Sequence, residues 1–157
     1  MINIFVYGLD QFVVGDISRD ITETIAKLYE VEEDEVNFVA PNDMVFHNGV
    51  EQTSWRVIVE VRLPEEFDKF QNQAKDILFH YISQVAVHVE VTFIYYGYHD
   101  HFVKLNPEYP NYLLEEDSEE DEIDSEEMTE GEGDDELFTG DIFAGLGDDG
   151  LGGSSGH

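Results

Sequence analysis

The sequence predicts an α/β (α+β) two-layer sandwich, a tandem β-α-β repeat that forms one four-stranded sheet with two helices on one face. Two observations predict it. Apolar alternation and helical stripes recur in the same order in both halves of residues 1–113, each helix at nearly the same offset from its preceding strand. After that point the composition changes abruptly, which sets the boundary of the folded part. Residues 1–110 hold seven basic and nineteen acidic side chains, whereas the remainder holds eighteen acidic ones and no Lys or Arg. Residues 1–113 are therefore assigned to one domain and 114–157 to an acidic tail, expected to be disordered because it repels itself and buries little.

The stretch INIFVYGL reads as the first strand. In ISRDITETIAKLYEV, Ile17, Ile21, Ile25 and Leu28 fall on one helical stripe, with Asp16 as the expected N-cap. EVNFVAPNDMVF is extended and interrupted at Pro41, and HNGVEQTS contains the Asn-Gly pair of a tight hairpin. The second half opens with WRVIVEVRL, whose apolar set is Trp55, Val57, Val59 and Val61. Pro64 stands where a first helical turn tolerates proline, and EEFDKFQNQAKDILFHYISQV supplies the second helix. VHVEVTFIYYGY is the last strand. Few positions of VIVEV and VEVTFIYY suit water, so the sheet face away from the helices is expected to be apolar and to associate. Within the tail, LFTGDIFAGLG scatters apolar groups that form either a short docking element or plain disordered chain.

Composition excludes several functions. With no cysteine there are no disulfides, no thiolate nucleophile and no cysteine-ligated metal. A formal net charge of -30 without a basic patch argues against nucleic acid. No glycine-rich loop followed by lysine is present, so no nucleotide cofactor is expected. The start of the chain lacks a basic n-region and any long apolar run, which points to a cytoplasmic protein without a membrane partner. In YHDHF, an extended backbone would put His99 and His101 on one face, but a third metal ligand such as His47 or His88 would have to come from elsewhere. No metal is assigned. Tyr95, Tyr96 and Tyr98 are read as edging a pocket or an interface.

The order of elements, with VNFVAPNDMVFHNGV, WRVIVEV and VEVTFIYYGYHDHFVKLN, resembles the tautomerase/MIF superfamily and within it the DUF1904 family, over residues 1–113. That resemblance implies a homotrimer whose sheets pack around a central axis. It also implies catalysis by a proline directly after the initiator methionine. Here that position is Ile2, so the family's amine is replaced by Met1, a primary amine displaced by one residue. Met1 is a candidate general base if positioned, and otherwise a structural end. The superfamily commonly holds an acidic or carbonyl-bearing substrate with an arginine, and Arg56 and Arg62 lie at the two ends of the third predicted strand. Arg56 is the candidate for a small acidic or carbonyl ligand, the alternative being a surface salt bridge; Arg19 is read as solvated. Two functional classes follow: a noncatalytic trimer that binds a small ligand or protein partner, or a divergent tautomerase acting on a small keto-enol acid.

Overall fold

In the computed structural model, residues 1–114 are described. Met1–Tyr112 forms one compact unit, and a second begins at Leu113 and runs to His157. The expected disorder and docking element of the acidic tail fall on residues 115–157, outside the described residues.

Strand β1 (Ile2–Tyr7) alternates strictly, with Ile2, Ile4 and Val6 buried and Asn3, Phe5 and Tyr7 on the other face. Helix α1 (Gln11–Tyr29) begins six residues before the first isoleucine of its stripe, because Asp10 caps it, its carboxylate accepting from the Phe12 N–H at 2.8 Å. The stripe extends back to Val14, so Asp16, the expected cap, is an interior helix residue paired with Arg19 at 2.9 Å. Glu30 ends the helix in the left-handed conformation, φ 57°, with its N–H on the last-turn carbonyls of Ala26 and Lys27.

Strand β2 (Val36–Val39) follows, then the short hairpin β3 (Phe46–His47) and β4 (Val50–Glu51). Its turn residues Asn48 and Gly49 have φ of 49° and 78°, the positive pair that an Asn-Gly turn supplies. Strand β5 (Arg56–Pro64) runs through the middle of the molecule. Trp55 precedes it and is 56% exposed, so it does not continue the buried set Val57, Val59 and Val61. Pro64 both ends the strand and caps the helical segment that follows, which is a 3-10 turn before it becomes an α-helix. Glu65–Phe70 coil as a 3-10 segment, and helix α2 (Gln71–Ile82) follows. Strand β6 (His88–Tyr96) leads into a 3-10 turn at Tyr98–Asp100.

The main sheet has the order β2-β1-β5-β6. β1 and β2 are parallel, β5 and β6 are parallel, and β1 joins β5 antiparallel with Ile4 opposite Val61 and Val6 opposite Val59. Those residues meet Ile17, Ile21 and Ile25 of α1 and Ala74, Leu78 and Ile82 of α2 in one core on the helical side. Tyr29, the last residue of α1, packs edge-on to Phe67 at 5.3 Å and Phe70 at 5.6 Å of the 3-10 segment.

The opposite face departs from expectation. Alternation turns Val57, Val59 and Val61 inward and leaves Arg56, Ile58, Glu60 and Arg62 outward, beside Asn3, Phe5 and Tyr7 of β1 and Glu90, Thr92 and Ile94 of β6. It is a mixed face: Arg62 pairs with Glu60 at 2.8 Å and lays its guanidinium over the Phe5 ring, 4.2 Å from the centroid.

Candidate functional site

Met1 and Arg56 lie at opposite ends of the sheet. Asn3 is in register with Arg62, so Met1 belongs to the end where β5 and β6 finish, whereas Arg56 starts β5 opposite His88 at the start of β6. Within one chain the two candidates do not share a cleft.

At the first end, the Met1 carbonyl accepts from the Tyr96 hydroxyl at 2.6 Å, and the Asn37 amide donates to the Met1 thioether at 3.3 Å and to Asn3 Oδ1 at 2.9 Å. A cleft of about 380 Å³ opens beside Met1, lined by Glu32, Asp34, Glu35, Val103, Leu105 and Asn111. Burial and the nearby Glu35 charge push the Tyr96 phenol above its ordinary pKa. The Tyr112 hydroxyl lies within hydrogen-bond distance of the Asp34 carbonyl oxygen and Asn37 Oδ1. Apart from the Met1 amine, the charged groups lining this cleft are the carboxylates of Glu32, Asp34 and Glu35, so this end is anionic in character.

At the second end, Gly8 turns the chain out of β1 with φ 85°, and a Cβ there would stand 2.7 Å from the Arg56 carbonyl oxygen. Ser54 N–H bonds the Gly8 carbonyl at 2.9 Å, while Val87 and His88 N–H bond the carbonyls of Ser54 and Trp55 at 3.1 and 2.8 Å. These contacts fix the entry to β5 against the entry to β6. The result is a cleft of about 480 Å³ whose walls are Val45, Phe46, His47 and Gln52 from the hairpin region, Trp55, Arg56 and Ile58, and His88 and Glu90. Arg56 Nη2 donates to Glu90 Oε2 at 2.7 Å, and both side chains are about half exposed. The Trp55 indole stands edge-on to the His88 imidazole, 5.9 Å between centroids.

His99 and His101 do not form the shared face expected of an extended strand, because Tyr98–Asp100 coil into a 3-10 turn. His101 stacks on Tyr96 at 4.8 Å and His99 packs edge-on to Tyr98 at 5.6 Å. His47 and His88, the possible additional ligands, line the Arg56 cleft at the other end. Among the described residues no group of three or more His, Cys, Asp or Glu is arranged to hold a metal ion. Nor does any helix among them have the length and apolarity to cross a membrane.

Sequence reasoning singled out Arg56 but missed Glu90 as its partner, and it missed the three carboxylates around Met1. The pattern of VHVEV does place His88 and Glu90 on one strand face, two residues apart. Which strand lies beside them depends on β5–β6 pairing, a relation between segments more than thirty residues apart that neither segment encodes alone.

No protein-family profile matches the sequence, and no curated protein matches it. Solved structures do. A domain of unknown function (DUF1904) from Sebaldella termitidis is similar with a TM-score of 0.60 at 16% identity, over 66% of this chain and 95% of that one. A macrophage migration inhibitory factor-like protein from Entamoeba histolytica gives 0.53 at 7% identity, over 66% of this chain and 95% of its own. A fused 4-OT, solved as an asymmetric trimer, gives 0.53 at 12% identity, over 64% and 91%. The chain thus has a tautomerase/MIF-like α+β fold. Its structural neighbours include the DUF1904 domain that the sequence resembles.

Proposed function

We propose that this chain is a noncatalytic protein of tautomerase-like fold that assembles as a homotrimer and binds a small acidic or carbonyl-bearing ligand. The observation that carries the reading is the setting of the chain's first residue. By the resemblance, Ile2 stands where the superfamily carries its catalytic proline, and it is fully buried, 0% exposed, as a core residue of β1. Met1 in front of it is held by Tyr96 and Asn37, beside a cleft lined by Glu32, Asp34 and Glu35. A keto-enol acid brought to that amine would meet three like charges, and a like charge nearby disfavours an anion. Arg56, the residue suited to such an acid, is at the far end of the same sheet.

Assembly is supported by the open edges. β6 presents nine residues along one side of the sheet, and edges of that length are normally paired or covered. The trimeric fused 4-OT supports the stoichiometry by likeness of fold. Sedimentation equilibrium across a tenfold dilution should return three times the chain mass, and ketonisation of phenylpyruvate enol should run no faster than in buffer. A compact monomer throughout would overturn the assembly. Turnover that survives purification and disappears in Arg56→Ala would overturn the noncatalytic reading in favour of a divergent tautomerase.

A further inference from the structure

We infer that Asn48 is a site of self-modification: the main-chain nitrogen of Gly49 closes on the Asn48 side chain, His47 carries the proton to the departing ammonia, and the turn is converted to an aspartyl or isoaspartyl link. The reaction needs no ligand and no open cleft, so it goes beyond the ligand-binding reading above and does not depend on it.

Three consecutive residues bring the parts together. Asn48 Nδ2 lies 3.3 Å from His47 Nε2, so the nitrogen that has to leave is already in contact with a ring nitrogen able to take or give a proton. Gly49 supplies the nucleophile. It has no side chain to shield its nitrogen, and nothing stands near the position a Cβ would take. Every other asparagine in the chain is followed by a larger residue, and the one after Asn106 is a proline, which has no N–H. The turn can also open. Strands β3 and β4 are two residues each, paired only as Phe46 with Glu51 and His47 with Val50, in a sheet separate from the four-stranded one. Opening so short a ladder lets Asn48 leave its left-handed conformation, φ 49°, and swing its carboxamide onto Gly49 at small cost.

The chemistry is a condensation followed by a hydrolysis, with water as the only co-reactant. The Gly49 nitrogen bonds to Asn48 Cγ and gives its proton to His47. The Cγ–Nδ2 bond breaks, its electron pair staying on nitrogen, and Nδ2 takes that proton from His47 and departs as ammonia. A cyclic imide remains. Water opens it at Cγ to give aspartate, or at the main-chain carbonyl to give isoaspartate, whose main chain runs through the former side chain. Either product adds a carboxylate, and isoaspartate also lengthens a turn whose geometry depends on two residues of positive φ. The change reaches the start of β5. Gln52 N–H closes the hairpin on the Val45 carbonyl at 2.8 Å, and the Gln52 carbonyl accepts from the N–H groups of Trp55 and Arg56 at 2.9 and 3.0 Å.

Full-length protein is held for days at neutral pH and physiological temperature, and peptide mapping by mass spectrometry follows residue 48, with a free peptide FHNGVE incubated alongside. The expected result is conversion at Asn48 ahead of every other asparagine, giving both aspartyl and isoaspartyl products. His47→Gln should slow it by roughly tenfold or more, the loss of a placed proton carrier, and Gly49→Ala should slow it as well. Circular dichroism confirms that each variant is folded. Aspartate as the sole product would mean direct hydrolysis and overturns the role of Gly49. A rate unchanged or faster in His47→Gln overturns the role of His47. An intact Asn48 in the protein while the free peptide converts shows that the fold protects the turn, and overturns the proposal as a whole. The chain has one tryptophan, so a shift in Trp55 emission as residue 48 converts is the expected sign that the change reaches β5; unchanged emission in converted protein overturns that coupling.

Discussion

The phenol of Tyr96, the last residue of β6, donates to the main-chain carbonyl of Met1 at 2.6 Å, tying the final strand of the sheet to the first residue of the chain. Tyr96→Phe removes the donor and keeps the ring that stacks on His101. It should lower the unfolding free energy by about 1 kcal/mol at fixed protein concentration and raise amide exchange at Ile2 and Asn3. Urea denaturation and hydrogen exchange measure both, and unaltered exchange at Ile2 would show that Met1 is held by other contacts.

Tyr29 is 2% exposed, and its hydroxyl has no hydrogen-bond partner. Removing it should therefore be favourable: Tyr29→Phe keeps the edge-on contacts with Phe67 and Phe70 and should stabilise the fold by up to about 1 kcal/mol near neutral pH. Burial raises the Tyr29 phenol pKa above its ordinary value. Below the unfolded-state value of about 10 both states are neutral, so this contribution to stability is fully present; as pH rises past it, only the unfolded chain ionises and stability falls. The decline of the urea midpoint above pH 10 should be shallower in Tyr29→Phe than in the parent. Identical slopes would mean that Tyr29 is accessible to water before unfolding.

Gly8→Ala should be among the most damaging single changes outside the core. The added Cβ meets the Arg56 carbonyl oxygen at 2.7 Å, on a backbone whose φ of 85° L-residues rarely adopt. A loss of about 2 kcal/mol or more is expected by thermal or chemical unfolding. Because the clash falls on Arg56 itself, the Trp55 emission spectrum should shift in the folded variant as well. A variant as stable as the parent, with unchanged emission, would place the Gly8–Arg56 approach in error.

Deleting residues 115–157 removes eighteen carboxylates and no basic residue. The core belongs to the unit that ends at Tyr112, so the unfolding midpoint at moderate salt should stay where it is. A large drop would show that the apolar groups of LFTGDIF contribute to the stability of that unit.

Local pattern was enough to read most of the elements. The spacing of Ile17, Ile21 and Ile25 gives α1, the alternation of Val57, Val59 and Val61 gives β5, and Asn48-Gly49 gives the hairpin, because each is a signal carried by neighbouring residues. Errors arose where two local signals competed. Gly15, a poor helix former, hid the first six residues of α1 behind Asp16, although Val14 is as buried as the isoleucines that follow. Pro64 suited a strand end as well as a helix start, and Glu65–Phe70 took the tighter 3-10 winding between them. The candidate site was less legible. Met1 and Arg56 could be picked out by residue type, but their separation follows from the antiparallel register of β1 on β5, and Glu90 reaches Arg56 only through the pairing of β5 with β6. The polarity of the open face was visible in Arg56, Glu60 and Arg62, yet it carried less weight than the valines between them.

Tyr112 bonds to Asn37, and Asn37 in turn bonds to Met1, so the last residue of the folded unit is two hydrogen bonds from the first. A unit whose ends adjoin is topologically a ring that has been cut once, and the position of the cut is a matter of synthesis order. A short linker from Tyr112 to Met1, with a new opening at the exposed Asn48–Gly49 turn, would leave every pairing of the four-stranded sheet in place. In such a circular permutant Met1 would no longer be an N-terminus, which separates the contribution of its backbone to the sheet from that of its free amine.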